Sequence, residues 1–165
     1  MRINGFIVVQ RKGILRNDSK KALLNYCQQY VDQRISHVTE AMEAAQESAN
    51  AETKGSAGDK HETGRAMMHL EKEKNARQLV GHLKLKKVLR QIDPKETHQR
   101  ARLGSLIKTN RGAYFLSIPI GKVGIEGNVF FVISPVSPIG NLLLNTEPGN
   151  ELDFNGREIV VKEVI

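Results

Sequence analysis

A chain of 165 residues, 39% apolar and only 5% aromatic, has material for one ordinary domain or two small ones around an aliphatic core. No apolar run approaches the length of a membrane-spanning helix, and a single cysteine, Cys27, excludes both an internal disulfide and a cysteine-rich metal site. The net charge of +7 is uneven: residues 1–99 hold 18 basic against 12 acidic side chains and residues 100–165 hold 7 against 6, so the N-terminal part suits a polyanionic partner such as nucleic acid or an acidic protein channel, or else is a solvated basic surface.

Residues 1–16 read as an N-terminal extension. Phe6 to Val9 has the composition of a short strand fenced by Gly5 and Gly13, and a frayed terminus is the other reading. The apolar run is too short for the core of a signal peptide, so a cytoplasmic protein is expected.

Residues 17–93 read as a helical hairpin. From Asp18 to about Ala51 there is no Pro or Gly, and Leu24, Cys27, Val31, Ile35, Val38, Met42, Ala45 and Ala49 recur in steps of three and four, one narrow stripe on one helix. Asp18 or Ser19 can cap its start. A stripe that narrow fits a two-helix seam better than a buried core. A second helix is predicted from Asp59 to about Ile92, where Asp93-Pro94 stops it. Its periodicity is clear from Ala76 to Ile92 and poor across Glu71–Asn75, which predicts a weaker seam towards the turn; Met67 and Met68 are expected to pack in that seam. Two helices of matched length around one short connection form an antiparallel pair, with residues 52–62 at its tip. That tip is polar, carries two glycines, and holds Asp59 and Glu62 three residues apart. Two readings of this pair stand together: a capping box at the start of the second helix, and a pair of carboxylates offered at the end of an arm.

Residues 94–102 are a polar linker, and the character then changes. Leu103–Lys108, Ala113–Ile118 and Asn128–Ile133 read as strands, with Asn110-Arg111-Gly112 as a turn. Gly121-Lys122-Val123-Gly124 reads as a turn, Ser134–Pro138 as a break, and Ile139–Leu144 as about one turn of helix. Glu151–Phe154, Asn155-Gly156 and Arg157–Val164 form a two-residue hairpin. Residues 103–165 are therefore a small β-rich domain, and the fold class is α+β.

These features together resemble the Gre family of bacterial transcript-cleavage factors. The resemblance covers about Asp18 to Ile165. It is carried by the tip and second helix from Gly55 to Asp93, with its ending Val88-Leu89-Arg90-Gln91-Ile92-Asp93. It is carried also by Ser137-Pro138-Ile139-Gly140-Asn141-Leu142-Leu143 and the stretch through Pro148-Gly149-Asn150-Glu151 to Ile159–Val164. The resemblance implies an FKBP-like C-terminal domain, a coiled-coil hairpin that enters the secondary channel of RNA polymerase, and tip carboxylates that help hold the polymerase's second Mg²⁺ during hydrolysis of backtracked RNA. It implies a transcription elongation factor with DNA binding, a monomer with no membrane role, with RNA polymerase and the backtracked RNA 3′ end as partners. It implies no cofactor of its own, only a shared Mg²⁺, and no enzyme activity beyond carboxylates lent to the polymerase. Carried over by position, Asp59 and Glu62 are the metal-assisting pair, while the position of the family's tip aspartate falls on Ser56. Lys54, Lys60 and Arg65 would meet phosphates or acidic polymerase residues. A hydroxyl is a poor substitute for a carboxylate on Mg²⁺, so a non-cleaving modulator of the same polymerase is the alternative. A protein-interaction module outside transcription is the third reading.

Other chemistries find little support. No Ser/His/Asp or Cys/His/Asn arrangement is legible, and Cys27 lies on the apolar stripe as a core thiol. His37, His61, His69, His82 and His98 show no zinc spacing, with His61 notable only for its place at the tip. Lys84, Lys86, Lys87 and Arg90 read first as a solvated helix face. Prolyl isomerisation, which the FKBP-like likeness raises, needs an aromatic-lined pocket, and this domain offers only Tyr114, Phe115, Phe130, Phe131 and Phe154.

Overall fold

A computed structural model describes the backbone of residues 4–52 and 61–165 and the side chains of residues 18–51 and 63–165. The chain is a pair of long helices followed by a six-stranded sheet: α1 Asn4–Glu52, α2 His61–Leu89, β1 Leu106–Thr109, β2 Gly112–Leu116, β3 Gly121–Ile125, β4 Asn128–Ile133, α3 Pro138–Leu143, β5 Glu151–Phe154 and β6 Arg157–Val164. It divides into two compact units, an arm of residues 29–87 and a base of residues 1–28 and 88–165.

In the arm, Lys86 Nζ lies 2.7 Å from Asp32 Oδ1, and Lys72 Nζ lies 3.4 Å from Gln46 Oε1. Moving fourteen residues up α1 moves fourteen residues back along α2, so the helices run antiparallel. The stripe expected on α1 faces inward throughout. Val31 and Val38 are buried, and Ile35, Met42, Ala45 and Ala49 are half-buried. On α2 the buried or half-buried positions from Met68 to Lys86 are Met68, Asn75, Ala76, Leu79, His82, Leu85 and Lys86. Three of those seven are polar. Met67 and Leu70 are instead 68% and 67% exposed, and Val80 and Leu83 about half exposed. The expectation that Met67 packs in the seam is corrected: at about 100° per residue only one of two consecutive methionines can face α1, and it is Met68.

α1 begins at Asn4, not at Asp18, so the strand reading of Phe6–Val9 gives way to helix. Extending an existing helix adds one hydrogen bond per residue without a new nucleation cost, which outweighs the β-preference of a short branched run.

The base is built on a sheet of order β3-β4-β2-β1-β6-β5, antiparallel except for the β2–β4 pair. Leu106 pairs with Phe115 and Phe115 with Val132, which places these three on one face. Leu23, Leu24 and Cys27 of α1 are buried in the same unit, and Cys27 Sγ lies 3.9 Å from Ser117 Oγ, two residues beyond Phe115. That contact sets α1 against this face. The opposite face carries Ile107, Leu116 and Val161, which pack with Ala101 and with Leu143 of α3. Tyr114 and Phe131 stack there at 5.3 Å.

The β4, β5 and β6 readings coincide with the strands, and Asn155-Gly156 turns the last hairpin with φ of 53° and 75°, the left-handed pair that a tight I′ turn requires. Gly121–Gly124 is corrected from turn to strand. β3 pairs along its length with β4 at the sheet edge, where Val123 is buried against Phe130 and the glycines face outward. At α3, Ser137 caps the helix by accepting a bond from Gly140 N, and its own hydroxyl donates to Ser134 O at 2.7 Å.

Candidate functional site

The candidate site sits where α1 ends and α2 begins. α2 starts at His61. Glu62 therefore belongs to the first turn of α2, where unpaired N–H groups and the helix dipole favour negative charge. Lys54, Ser56, Asp59 and Lys60 lie outside the described residues, as does the capping box read at Asp59 and Glu62. Of the expected contact residues, Arg65 is described and is exposed on α2. Three turns at about 3.6 residues each carry the arm from Arg65 to Asn75, the first polar residue buried in the seam.

Across the described tip end, Lys72 to Gln46 is a long, neutral-acceptor bond between exposed side chains, and Met68 is the apolar residue turned inward. Lower in the arm, Lys86 is half-buried and paired with Asp32, so the basic run divides: Lys84, Lys87 and Arg90 are exposed and Lys86 is structural. Arg34 stacks over Tyr30, 4.4 Å from the ring centroid, on the same arm.

Cys27 is a core thiol as expected. Burial pushes it up to about 11, partly offset by Ser117, so it is protonated and unreactive at neutral pH. Among the described residues no group of three or more His, Cys, Asp or Glu stands close enough to hold a metal ion. No described helix is long and apolar enough to cross a membrane.

One polar cluster had gone unread in the sequence. Lys20 is fully buried in the base, and its ammonium donates to Glu96 O at 2.5 Å. Lys20 precedes Leu24 by four residues and Cys27 by seven, so extending the apolar stripe one step towards the N-terminus would have found it.

No protein-family model and no curated protein matches the chain. Among solved structures it is similar to the GreA factor homolog 1 (Gfh1) protein of Thermus thermophilus. Identity there is 16%, 84% of this chain and 94% of that one are covered, and the TM-score is 0.34. It is similar also to another structure of the transcription factor Gfh1, at 20% identity over 87% of this chain and 94% of that one, with a TM-score of 0.32. A likeness this slight carries no argument about activity or partner.

Proposed function

We propose that this chain is a regulatory factor of RNA polymerase whose arm enters the enzyme's secondary channel and offers Asp59 and Glu62 beside the catalytic Mg²⁺. The observation that carries the reading is the combination, in one chain, of an antiparallel helix pair with a polar connection that holds Asp59 and a β-rich domain containing Ser137-Pro138-Ile139-Gly140. The α2 helix alone, 29 residues at about 1.5 Å each, is about 43 Å long. That is enough to carry a side chain deep into a channel. The chain needs no catalytic pocket for this role. Its contribution is reach, two carboxylates, and the basic side chains Lys54, Lys60 and Arg65 to meet phosphates of an extruded RNA 3′ end.

When bound, a second divalent ion stabilises the attacking and leaving oxygens of phosphodiester hydrolysis. Asp59 and Glu62 would hold it together with polymerase carboxylates, and Ser56 would add only a neutral hydroxyl. Ser56 is the specific observation that favours a second reading, in which the chain occupies the channel and slows transcription without stimulating cleavage.

The test is a backtracked elongation complex with a labelled RNA 3′ end. The factor reading expects accelerated release of short 3′ fragments, lost in the Asp59→Ala/Glu62→Ala variant while polymerase binding persists. The modulator reading expects no fragments from the native chain and inhibited elongation, with fragments gained in Ser56→Asp. Absence of any effect on the complex, with no binding, removes both.

A further inference from the structure

The base contains a buried hydrogen-bond circuit that a neutral histidine completes. Ser105 is fully buried. Its Oγ accepts the N–H of Arg102 at 3.0 Å and lies 2.6 Å from His98 Nδ1. Nδ1 is the acceptor within reach of the one hydroxyl proton of Ser105, and the other ring nitrogen, Nε2, lies 3.3 Å from the Glu96 carboxylate. A neutral ring in the Nε2–H form satisfies both contacts, and 3% of the His98 side chain is exposed.

The charges around it are set by three pieces of chain. Lys20 of α1 donates to the Glu96 carbonyl, Arg102 Nη2 lies 3.1 Å from the Glu96 carboxylate, and Asp93 lies close enough to favour the Lys20 charge. Lys20 and Arg102 face the ring as positive groups, and Glu96 is the one carboxylate that touches it. Residues 93–105 are the segment that leads from α2 to β1, and Lys20 ties that segment to α1.

We propose that His98, Ser105, Glu96 and Lys20 form an acid-sensitive clasp, and that a proton on His98 Nδ1 releases residues 94–105 from α1. A second ring proton turns Nδ1 from acceptor to donor, which leaves the buried Ser105 hydroxyl proton without a partner. It also adds a third cation beside Lys20 and Arg102, with half-exposed Glu96 as the carboxylate in contact with the ring. Burial chiefly, with Glu96 opposing and Lys20 and Arg102 assisting, holds His98 below its ordinary 6.5. The sign follows: a base lowered on folding adds stability that is present above 6.5 and is lost as pH falls through the folded value. The proposal is independent of the polymerase reading, because it concerns the base alone.

His98 is the only histidine in the base, since the other four fall between residues 37 and 82. Hydrogen-exchange protection of the full chain, compared at about pH 7.5 and about pH 5, reads the clasp directly. The expected result is a loss of protection of about tenfold or more in residues 94–105, with β4 and β6 unchanged. In His98→Asn, whose amide oxygen can accept from Ser105 and takes no proton in this range, the loss should vanish. Equal protection at both pH values, the same loss in His98→Asn, or a loss spread evenly over the sheet overturns the proposal. Should His98→Asn fail to fold, the native chain decides. Its opening midpoint must coincide with the imidazole titration of His98 followed by NMR, and separate midpoints overturn the clasp.

Discussion

Lys20 is a lysine with no exposed surface, kept in place by one carbonyl and by the packing of its own stem. Burial lowers its pKa, with Glu96 and Asp93 pulling the other way, so the ammonium is held against a solvation penalty. Two substitutions separate stem from charge. Lys20→Met keeps the volume and should cost about 1 kcal/mol, the net worth of one hydrogen bond. Lys20→Ala also opens a cavity and should cost about 2–4 kcal/mol in chemical denaturation. Equal losses in the two variants would contradict the packing account. Cys27 makes the companion prediction in alkali. Its thiol is raised from 9.0 to about 11, so the folded state favours the protonated form. That preference adds stability below 9.0 and is lost as pH rises towards 11, where the thiolate must form inside the core. Thermal melts across that range should fall more steeply for the native chain than for Cys27→Ala. At neutral pH, iodoacetamide should label Cys27 only after denaturant is added.

At the scale of elements, the two glycines tested most simply are Gly81 and Gly140, which lie in helices with opposite surroundings. Nothing stands within 4 Å of a Cβ built on Gly81, so Gly81→Ala should stabilise α2 by about 1 kcal/mol, seen as roughly fivefold slower amide exchange in the arm. A Cβ on Gly140 would meet the Ser134 carbonyl at 2.0 Å and the Ser137 hydroxyl at 2.8 Å. Gly140→Ala must break the cap of α3, and a loss of about 2 kcal/mol or more in urea denaturation is expected. The contrast also shows what was legible beforehand. Periodicity gave the α1 stripe and the Asn155-Gly156 hairpin because local pattern and tertiary role agree there. It missed β3, whose glycines hide the alternation and whose strand exists through pairing with β4. It placed Met67 wrongly because apolar spacing on α2 is ambiguous: the inward stripe runs through Asn75, His82 and Lys86, and apolar residues stand on both flanks.

For the whole molecule, function was legible only as a resemblance. The tip pair Asp59 and Glu62 is read from spacing and polarity, and its side chains lie outside the described ones. The polar clasp was illegible for a different reason. Lys20, Glu96, His98 and Ser105 are brought together from separate stretches, and no spacing rule joins a residue on α1 to a linker 76 residues away. The central claim is that RNA polymerase is the partner, and it is met most directly by titrating the labelled full-length chain with purified bacterial RNA polymerase. The account predicts saturable, salt-sensitive one-to-one binding that Asp59→Ala/Glu62→Ala leaves in place. No saturable binding at micromolar polymerase, with the chain folded by circular dichroism, would contradict it.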